Sequence, residues 1–257
     1  MILFLNVRLH EYHPLRLMAS VNRRIALLSA KYLLAPEDAY VLKRQVIRNN
    51  IVTKLAASVT IDKAAEYAAK EDNLEALAVI LRGEHKSREG FLVRGCGVAR
   101  EAALHGRLRT LRWAHAREML FLRFVCANAA EGGHLNALRW LHKHNYEWNE
   151  FTCRMAAKNG HLAVLQWLRA NGCPWDELTC AMAAEGGHLH VLQWARANGC
   201  PWDAETCTGA AAGGHLAVLQ WARAHGCPWD AETCLEASTK GHIEVLRWAR
   251  ANGCPTS

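Results

Sequence analysis

The sequence predicts an all-α fold, a helical-repeat solenoid of stacked helix–turn–helix units that follows an N-terminal helical cap. Two sets of residues with one period predict it: all ten tryptophans and nine of the ten cysteines fall in series spaced by 27 residues. A fixed period of about 20–50 residues is the signature of a solenoid, in which each unit buries its apolar face only against its neighbours. The series are Trp113, Trp140, Trp167, Trp194, Trp221 and Trp248; Trp148, Trp175, Trp202 and Trp229; Cys126, Cys153, Cys180, Cys207 and Cys234; and Cys173, Cys200, Cys227 and Cys254.

Each unit predicts two helices, as residues 174–200 illustrate. Asp176 can cap a first helix that includes Thr179–Glu185, because its carboxylate can accept a hydrogen bond from a free N–H of the first turn. Gly186–Gly187 ends this helix, since glycine adopts a positive φ without a steric penalty. Apolar residues cover more than one stripe of the second helix, at about 188–198, which favours packing between two neighbouring units.

Seven such units can be counted by the turn between their two helices. Five of these turns carry glycine followed by histidine, and two turns nearer the N-terminus are more divergent. The polar stretch 83–97 is additional material between the first two units. The turns are Asp72–Asn73, Gly106–Arg107, Gly133–His134, Gly160–His161, Gly187–His188, Gly214–His215 and Gly241–His242.

The segment AAEGGHLHVLQWARANGC, which begins at Ala183, is similar to the ankyrin-repeat consensus, and the resemblance extends over about Asp62 to Cys254. Ankyrin units are normally about 33 residues long and carry a β-hairpin finger between units. A Cys-Pro-Trp-Asp connector replaces the finger here, so we expect paired antiparallel helices without β-fingers. The chain resembles the short-unit ankyrin-like arrays that are abundant in large DNA viruses and some protists.

The repeat array is predicted to span 61–257, and residues 1–60 form a separate N-terminal segment. Leu15 to Leu28, LRLMASVNRRIALL, resembles the later half of an F-box, although Ile25 occupies the usual tryptophan position and the usual Leu-Pro opening is absent. Two interpretations stay open. The segment is either a helical cap that shields the first repeat, which we favour because the ends of a solenoid need polar covers, or a Skp1-binding box.

Recurring cysteine and histidine residues raise the question of a zinc site. Cys173 and Cys180 are seven residues apart, whereas zinc ligands usually come in pairs two to four residues apart. In the ankyrin pattern their positions correspond to a buried alanine and a buried leucine, so we expect reduced thiols that fill core positions, with His188 bonding backbone at the inner turn. The sequence contains no phosphate-binding loop, dinucleotide fingerprint or HExxH motif. We therefore expect no cofactor, no metal and no enzymatic activity.

Charge and hydropathy bound the partners and the location. Residues 1–125 carry 21 Lys and Arg against 12 Asp and Glu, but the arginines are scattered, so nucleic acid is not expected as a partner. Trp175 and its equivalents could stack on bases, but we expect them to pack between successive units. No apolar run reaches the ~18 residues of a membrane span. We expect a monomer in the cytoplasm or nucleus, or in the cytoplasm of a host cell if the source is viral.

The function predicted from the resemblance is a protein–protein interaction scaffold that binds an unidentified partner protein across the concave, first-helix side. The alternative is a substrate-recognition adaptor of an SCF-type ubiquitin ligase, with the N-terminal segment recruiting a Skp1-like protein. The positions that vary between units are the candidate contacts. They are Glu131, Arg154, Met155, Lys158, Asn159, Met182, Glu185, Thr208, Thr239 and Lys240.

Overall fold

The computed structural model describes residues 61–81, 97–119 and 124–255, and all regular structure within them is helical. The predictions for residues 1–60, namely the helical cap and the F-box-like segment, and the additional stretch after residue 83 lie largely outside these ranges, and the domain boundary at residue 60 stays a prediction. The helices are α1 Ile61–Lys70, α2 Leu74–Ile80, α3 97–104, α4 Leu108–His115, α5 Val125–Glu131, α6 Leu135–Lys143, α7 Glu150–Lys158, α8 Leu162–Ala170, α9 Glu177–Glu185, α10 Leu189–Ala197, α11 Ala204–Ala212, α12 Leu216–Ala224, α13 Ala231–Thr239 and α14 Ile243–Ala251.

The chain divides into two compact units. The first comprises residues 1–65 and 75–83, and its described part is 61–65 and 75–81. In that part Ala64, Ala65, Leu77 and Leu81 are buried. The second unit holds residues 66–74 and everything from residue 84 onward, so it contains the regular 27-residue repeats.

An aspartate caps the first helix in three of the repeats, including Asp176, which was predicted to do so. Asp203 and Asp230 each accept a hydrogen bond from the backbone N–H two residues later, at 3.1 and 3.0 Å. Asp176 forms a reciprocal capping box with Thr179. Because these carboxylates satisfy N–H groups that the helix leaves unpaired, they fix where each first helix starts. The observed first helix of this repeat begins at Glu177, two residues before the run that the sequence indicated.

The turn between the two helices has the predicted conformation in every unit. Gly106, Gly133, Gly160, Gly187, Gly214 and Gly241 all have positive φ, between 64° and 76°. The seventh turn confirms the count, since Asp72 occupies the same left-handed conformation at φ 54° without being glycine. Its carboxylate Oδ1 accepts hydrogen bonds from the backbone N–H of Thr110 at 3.1 Å and from the Thr110 hydroxyl at 2.7 Å.

The first helices pack side by side in chain order, α5 on α7, α7 on α9, α9 on α11 and α11 on α13. The adjacent alanines of these helices, such as Ala183 and Ala184, are buried between them, and the cysteines of both series are buried as well, which confirms that the cysteines occupy core positions. The tryptophans of both series are only half-buried and pack against the edge of the core. The fully buried large side chains are instead leucines in a 27-residue series of their own. They are Leu111, Leu138, Leu165, Leu192 and Leu219.

The connectors between units contain no strand in any part of the array that the structure describes, which confirms the prediction that β-fingers are missing. Within the same residues, no helix is long and apolar enough to cross a bilayer.

Candidate functional site

The exposed side of the first helices is organised in columns of side chains. Because these helices pack side by side, residues 27 positions apart become neighbours on adjacent helices. We name this surface the first-helix face: the accessible side chains of α3, α5, α7, α9, α11 and α13 together with the residues that flank those helices. All ten candidate contact residues lie on these helices or at their C-terminal turns.

One column is held by an ion pair between neighbouring units. Arg154 donates from Nε to Asp176 Oδ1 at 3.0 Å and from its terminal nitrogen to the second carboxylate oxygen. Burial disfavours the charge on Asp176, but the Arg154 guanidinium outweighs it and lowers the pKa of that carboxyl below its usual value. Arg154 therefore contacts the cap of the next first helix and is already neutralised.

A second ion pair joins Lys158 on α7 to Glu185 on α9. The Lys158 Nζ lies 2.8 Å from Glu185 Oε1, and the side chains are 40% and 34% exposed. A pair this exposed contributes about 1 kcal/mol or less to stability. Both groups thus remain accessible to a partner, although they are paired with each other in the free protein.

The C-terminal turns carry three exposed candidates that make only local contacts or none described. The Asn159 side-chain amide donates to the Met155 carbonyl oxygen at 3.0 Å, and Thr239 donates its hydroxyl to the Glu236 carbonyl oxygen at 3.1 Å. Lys240 is exposed at the end of α13. Asn159 and Thr239 thus bond carbonyl oxygens near the ends of their own helices, and all three side chains remain accessible.

Thr208 differs from the other nine candidates. Its side chain is only 7% exposed, and its hydroxyl shares a hydrogen bond of 3.3 Å with that of Thr233 in the next unit. Its variation between units therefore reflects packing between α11 and α13, and we leave it out of the contact set proposed below.

A groove of about 490 Å³ opens on the first-helix face along α3, α5 and α7, with Glu66 of α1 at one end. Phe124 is 45% exposed, and its ring packs edge to face on that of Phe151 with centroids 5.7 Å apart. Neither phenylalanine was predicted as a contact, although the two stand 27 residues apart and the chain has only five phenylalanines. The residues that give the groove its character are Glu66, Arg100, Phe124, Glu131, Phe151 and Met155.

Charge is segregated between the two rows of helices from residue 125 onward. The first helices with their flanking cap residues carry ten carboxylates and three cations, whereas the second helices carry seven cations and one carboxylate. The first-helix face is therefore acidic and the second helices are basic. The ten carboxylates belong to Glu131, Glu150, Asp176, Glu177, Glu185, Asp203, Glu205, Asp230, Glu232 and Glu236. The cations of the second helices belong to Arg139, Lys143, Arg169, Arg196, Arg223, Arg247 and Arg250.

The recurring histidines bond backbone at the inner turn, as the sequence indicated. The Nε2 of His161 lies 2.9 Å from the Glu131 carbonyl oxygen, and that of His242 lies 3.0 Å from the Ala212 carbonyl oxygen. Since a carbonyl only accepts, Nε2 is the protonated nitrogen. Burial also lowers the pKa of His188 below its usual value, which favours the neutral ring. Among the described residues, no group of three or more His, Cys, Asp and Glu side chains is arranged to hold a metal ion.

The cysteines form neighbouring pairs that differ from the pairing considered at the sequence level. The Cys180 thiol contacts that of Cys200, at the end of the same repeat, and Cys200 Sγ in turn donates to the Asp176 carbonyl oxygen at 3.4 Å. Contact with Cys200 and burial both raise the pKa of Cys180. All nine described cysteines are free and buried. Cys173, Cys200, Cys227 and Cys254 each donate from Sγ to the carbonyl oxygen of the preceding helix cap, so they link the connector to that cap.

The connector tryptophans join successive units through an arginine that sequence analysis missed. Trp202 packs edge to face on Trp221, with centroids 5.9 Å apart, while the Arg196 guanidinium lies 4.1 Å from the centre of the Trp202 ring. Arg196 also donates to the Cys200 carbonyl oxygen. The same arrangement recurs at Trp175 and Trp229. This confirms that the second tryptophan series packs between units.

Comparison with known proteins agrees with this architecture. Residues 126–169 match the family model for ankyrin repeats (many copies). A search of the curated proteins found no match. Among solved structures, the chain is similar to the human ASB11 ankyrin repeat domain, with a TM-score of 0.49 and 15% sequence identity over 64% of this chain and 84% of that chain. The matched segment lies within the array, and 27-residue units continue on both sides of it.

Proposed function

We propose that this protein is a non-enzymatic scaffold that binds a partner protein through the first-helix face. Ankyrin repeats are generally protein–protein interaction modules, and the repeated histidines, cysteines and tryptophans of this chain are all engaged in packing. Repetition of a Cys–His pair in unit after unit is what packing requires, whereas an active site needs one such pair.

A single observation carries the proposal: the candidate contacts of the first helices combine sequence variation with accessibility. The candidate contacts on the first helices change identity between units while remaining exposed or half-exposed, whereas the structural positions repeat. Met155 and Met182 are half-buried on adjacent helices, and methionine is a flexible apolar side chain suited to a binding surface. The proposed contacts are Glu131, Arg154, Met155, Lys158, Asn159, Met182, Glu185, Thr239 and Lys240.

Site-directed photo-crosslinking tests which face is used. A photoreactive phenylalanine analogue replaces Met155 or Met182 on the first-helix face, or Gln193, which is exposed on the second helix α10. We expect discrete covalent adducts with partner proteins from the first two positions and none from the third. Adducts that form only from position 193 would place binding on the second helices and contradict the proposal.

A further inference from the structure

An apolar strip crosses the middle of the first-helix face. The positions equivalent to Phe124 hold phenylalanine again in the next unit and then leucine, and the positions equivalent to Met155 hold methionine in two adjacent units. On the N-terminal side the two columns continue with Gly97 and Asn128, and on the C-terminal side they carry Glu205, Glu232 and Glu236 besides Gly209. The strip therefore has an acidic C-terminal end. Its members are Phe124, Phe151, Leu178, Met155 and Met182.

The cations near this strip are already neutralised from within the protein. Arg100 lies 3.5 Å from Glu66 Oε1 and 3.0 Å from Glu101 Oε1, so one guanidinium faces two carboxylates. Arg154 and Lys158 pair with carboxylates of the next unit, as described above.

One carboxylate of the groove remains unpaired by such contacts. Glu131 lines the groove beside Phe151 and Met155, and within the described ranges no lysine, arginine or histidine forms a salt bridge with it. The groove thus combines an apolar floor with uncompensated negative charge.

We infer that the groove and strip bind a segment of a partner protein in which a bulky aromatic or aliphatic side chain lies beside lysine or arginine. This inference rests on the function proposed above and narrows the class of partner. The apolar side chain would enter between Phe124, Phe151 and Met155, where burial of nonpolar surface is favourable. The cation would lie against Glu131, and the excess of carboxylates on the face would attract it from a distance. Such attraction weakens as salt is added, because the Debye length falls below about 10 Å above 0.1 M.

Selection of random peptides displayed on phage against the full-length protein tests the inference without knowledge of the natural partner. We expect the enriched peptides to carry an aromatic or aliphatic residue adjacent to Lys or Arg, and to lose affinity as salt rises. Met155→Ser is expected to weaken the selected peptides by roughly tenfold, as loss of a central apolar contact does. Glu131→Lys should shift a new selection towards Asp and Glu. The control Gln193→Ser on the second-helix surface should change neither result.

The other outcomes would refute the partner chemistry, the proposed binding face, or both. Peptides that depend on Met155 but carry no basic residues would refute the partner chemistry and leave the proposed face intact. Peptides that ignore Met155→Ser but respond to Gln193→Ser would refute both. The inference would also be refuted if the wild-type protein enriched peptides no more than the Met155→Ser variant does. Finally, a low-salt dimer in analytical ultracentrifugation that Glu131→Lys abolishes would show that the occupant is the basic second-helix row of a second copy.

Discussion

The imidazole of His215 lies over Gly187 of the preceding unit, so closely that a Cβ added at Gly187 would lie 2.5 Å from the ring carbon Cε1. The same contact joins Gly133 to His161 and Gly160 to His188. Glycine is therefore favoured in this turn for two reasons. It permits the positive φ, and its missing side chain leaves room for the histidine ring of the next unit.

Two glycine substitutions distinguish the effect of backbone conformation from that of the missing side chain. Gly187 and Gly241 share φ +76°, but nothing lies within 4 Å of a Cβ at Gly241. Gly241→Ala should therefore cost only the backbone strain, about 1–2 kcal/mol. Gly187→Ala should cost roughly 1–3 kcal/mol more, because the added methyl group clashes with the His215 ring. Urea unfolding of the two variants measures the difference. Equal losses of stability would show that the histidine ring moves aside without cost.

The repeat period alone predicted most of the array. Helix order, the seven turns, the buried cysteines and the connectors without strands all followed from the spacing of glycine, alanine, cysteine and tryptophan. The divergent turn at Asp72 lies outside the 27-residue period and was placed by the alanines Ala68 and Ala69 that precede it. Its left-handed conformation is one that aspartate tolerates better than most side chains.

Contacts between units were harder to predict, since they join residues that no local pattern relates. The stacking of Arg196 on Trp202 crosses a connector, and the pair Lys158–Glu185 joins two units. Thr208 appeared accessible by its variation alone, but its burial depends on Thr233 in the next helix. The groove around Phe124 required three helices to be placed together.

The stacking of tryptophan on arginine should contribute to stability. Trp202→Ala should destabilise the protein by about 2–4 kcal/mol, and Trp194→Ala by a similar amount, both somewhat less than full burial would give. Arg196→Gln alone should cost about 1 kcal/mol, and a double-mutant cycle with Trp202→Ala should show a coupling of roughly 0.5–1 kcal/mol. Thermal unfolding supplies the values, with Glu205→Ala in the neighbouring helix as a control. Additive losses would mean that the Trp202 ring and the Arg196 guanidinium do not interact appreciably.

Acid should weaken the array through the inner-turn histidines. Burial lowers the pKa of His188 and of His134 below the usual 6.5. Because the pKa of each histidine is lowered in the folded state, the unfolded chain binds protons more readily than the folded protein does. The free energy of unfolding is therefore at its full value above pH 6.5, and it falls as the pH drops through the folded-state pKa. The free energy of unfolding should therefore decline below pH 6.5, and His188→Gln should decline less steeply. Parallel pH profiles for the two proteins would contradict this assignment.

The nine described thiols should resist modification while the protein is folded, because all of them are buried. Burial raises the pKa of Cys126 to about 12, and the thiolate is the reactive form. In a Cys96→Ser background, which removes the one cysteine outside the described residues, a disulfide reagent at pH 8 should label less than one thiol in the native protein. After denaturation it should label nine. Rapid native labelling of several thiols would show that the connectors open readily.

Substitutions in the Lys158–Glu185 pair should change partner binding while hardly changing stability. Because both side chains are about one-third exposed, Glu185→Ala should change the free energy of unfolding by no more than about 1 kcal/mol. It also removes one carboxylate from the acidic face and releases the Lys158 cation, so affinity for a basic peptide obtained by phage selection should fall. Lys158→Ala removes the same pair but frees the carboxylate, so it should strengthen that peptide's binding. Fluorescence anisotropy in low and high salt measures both effects. If the two variants instead shift affinity in the same direction, the pair acts through the conformation of α7 and α9. Charge on the first-helix face would then not determine peptide binding.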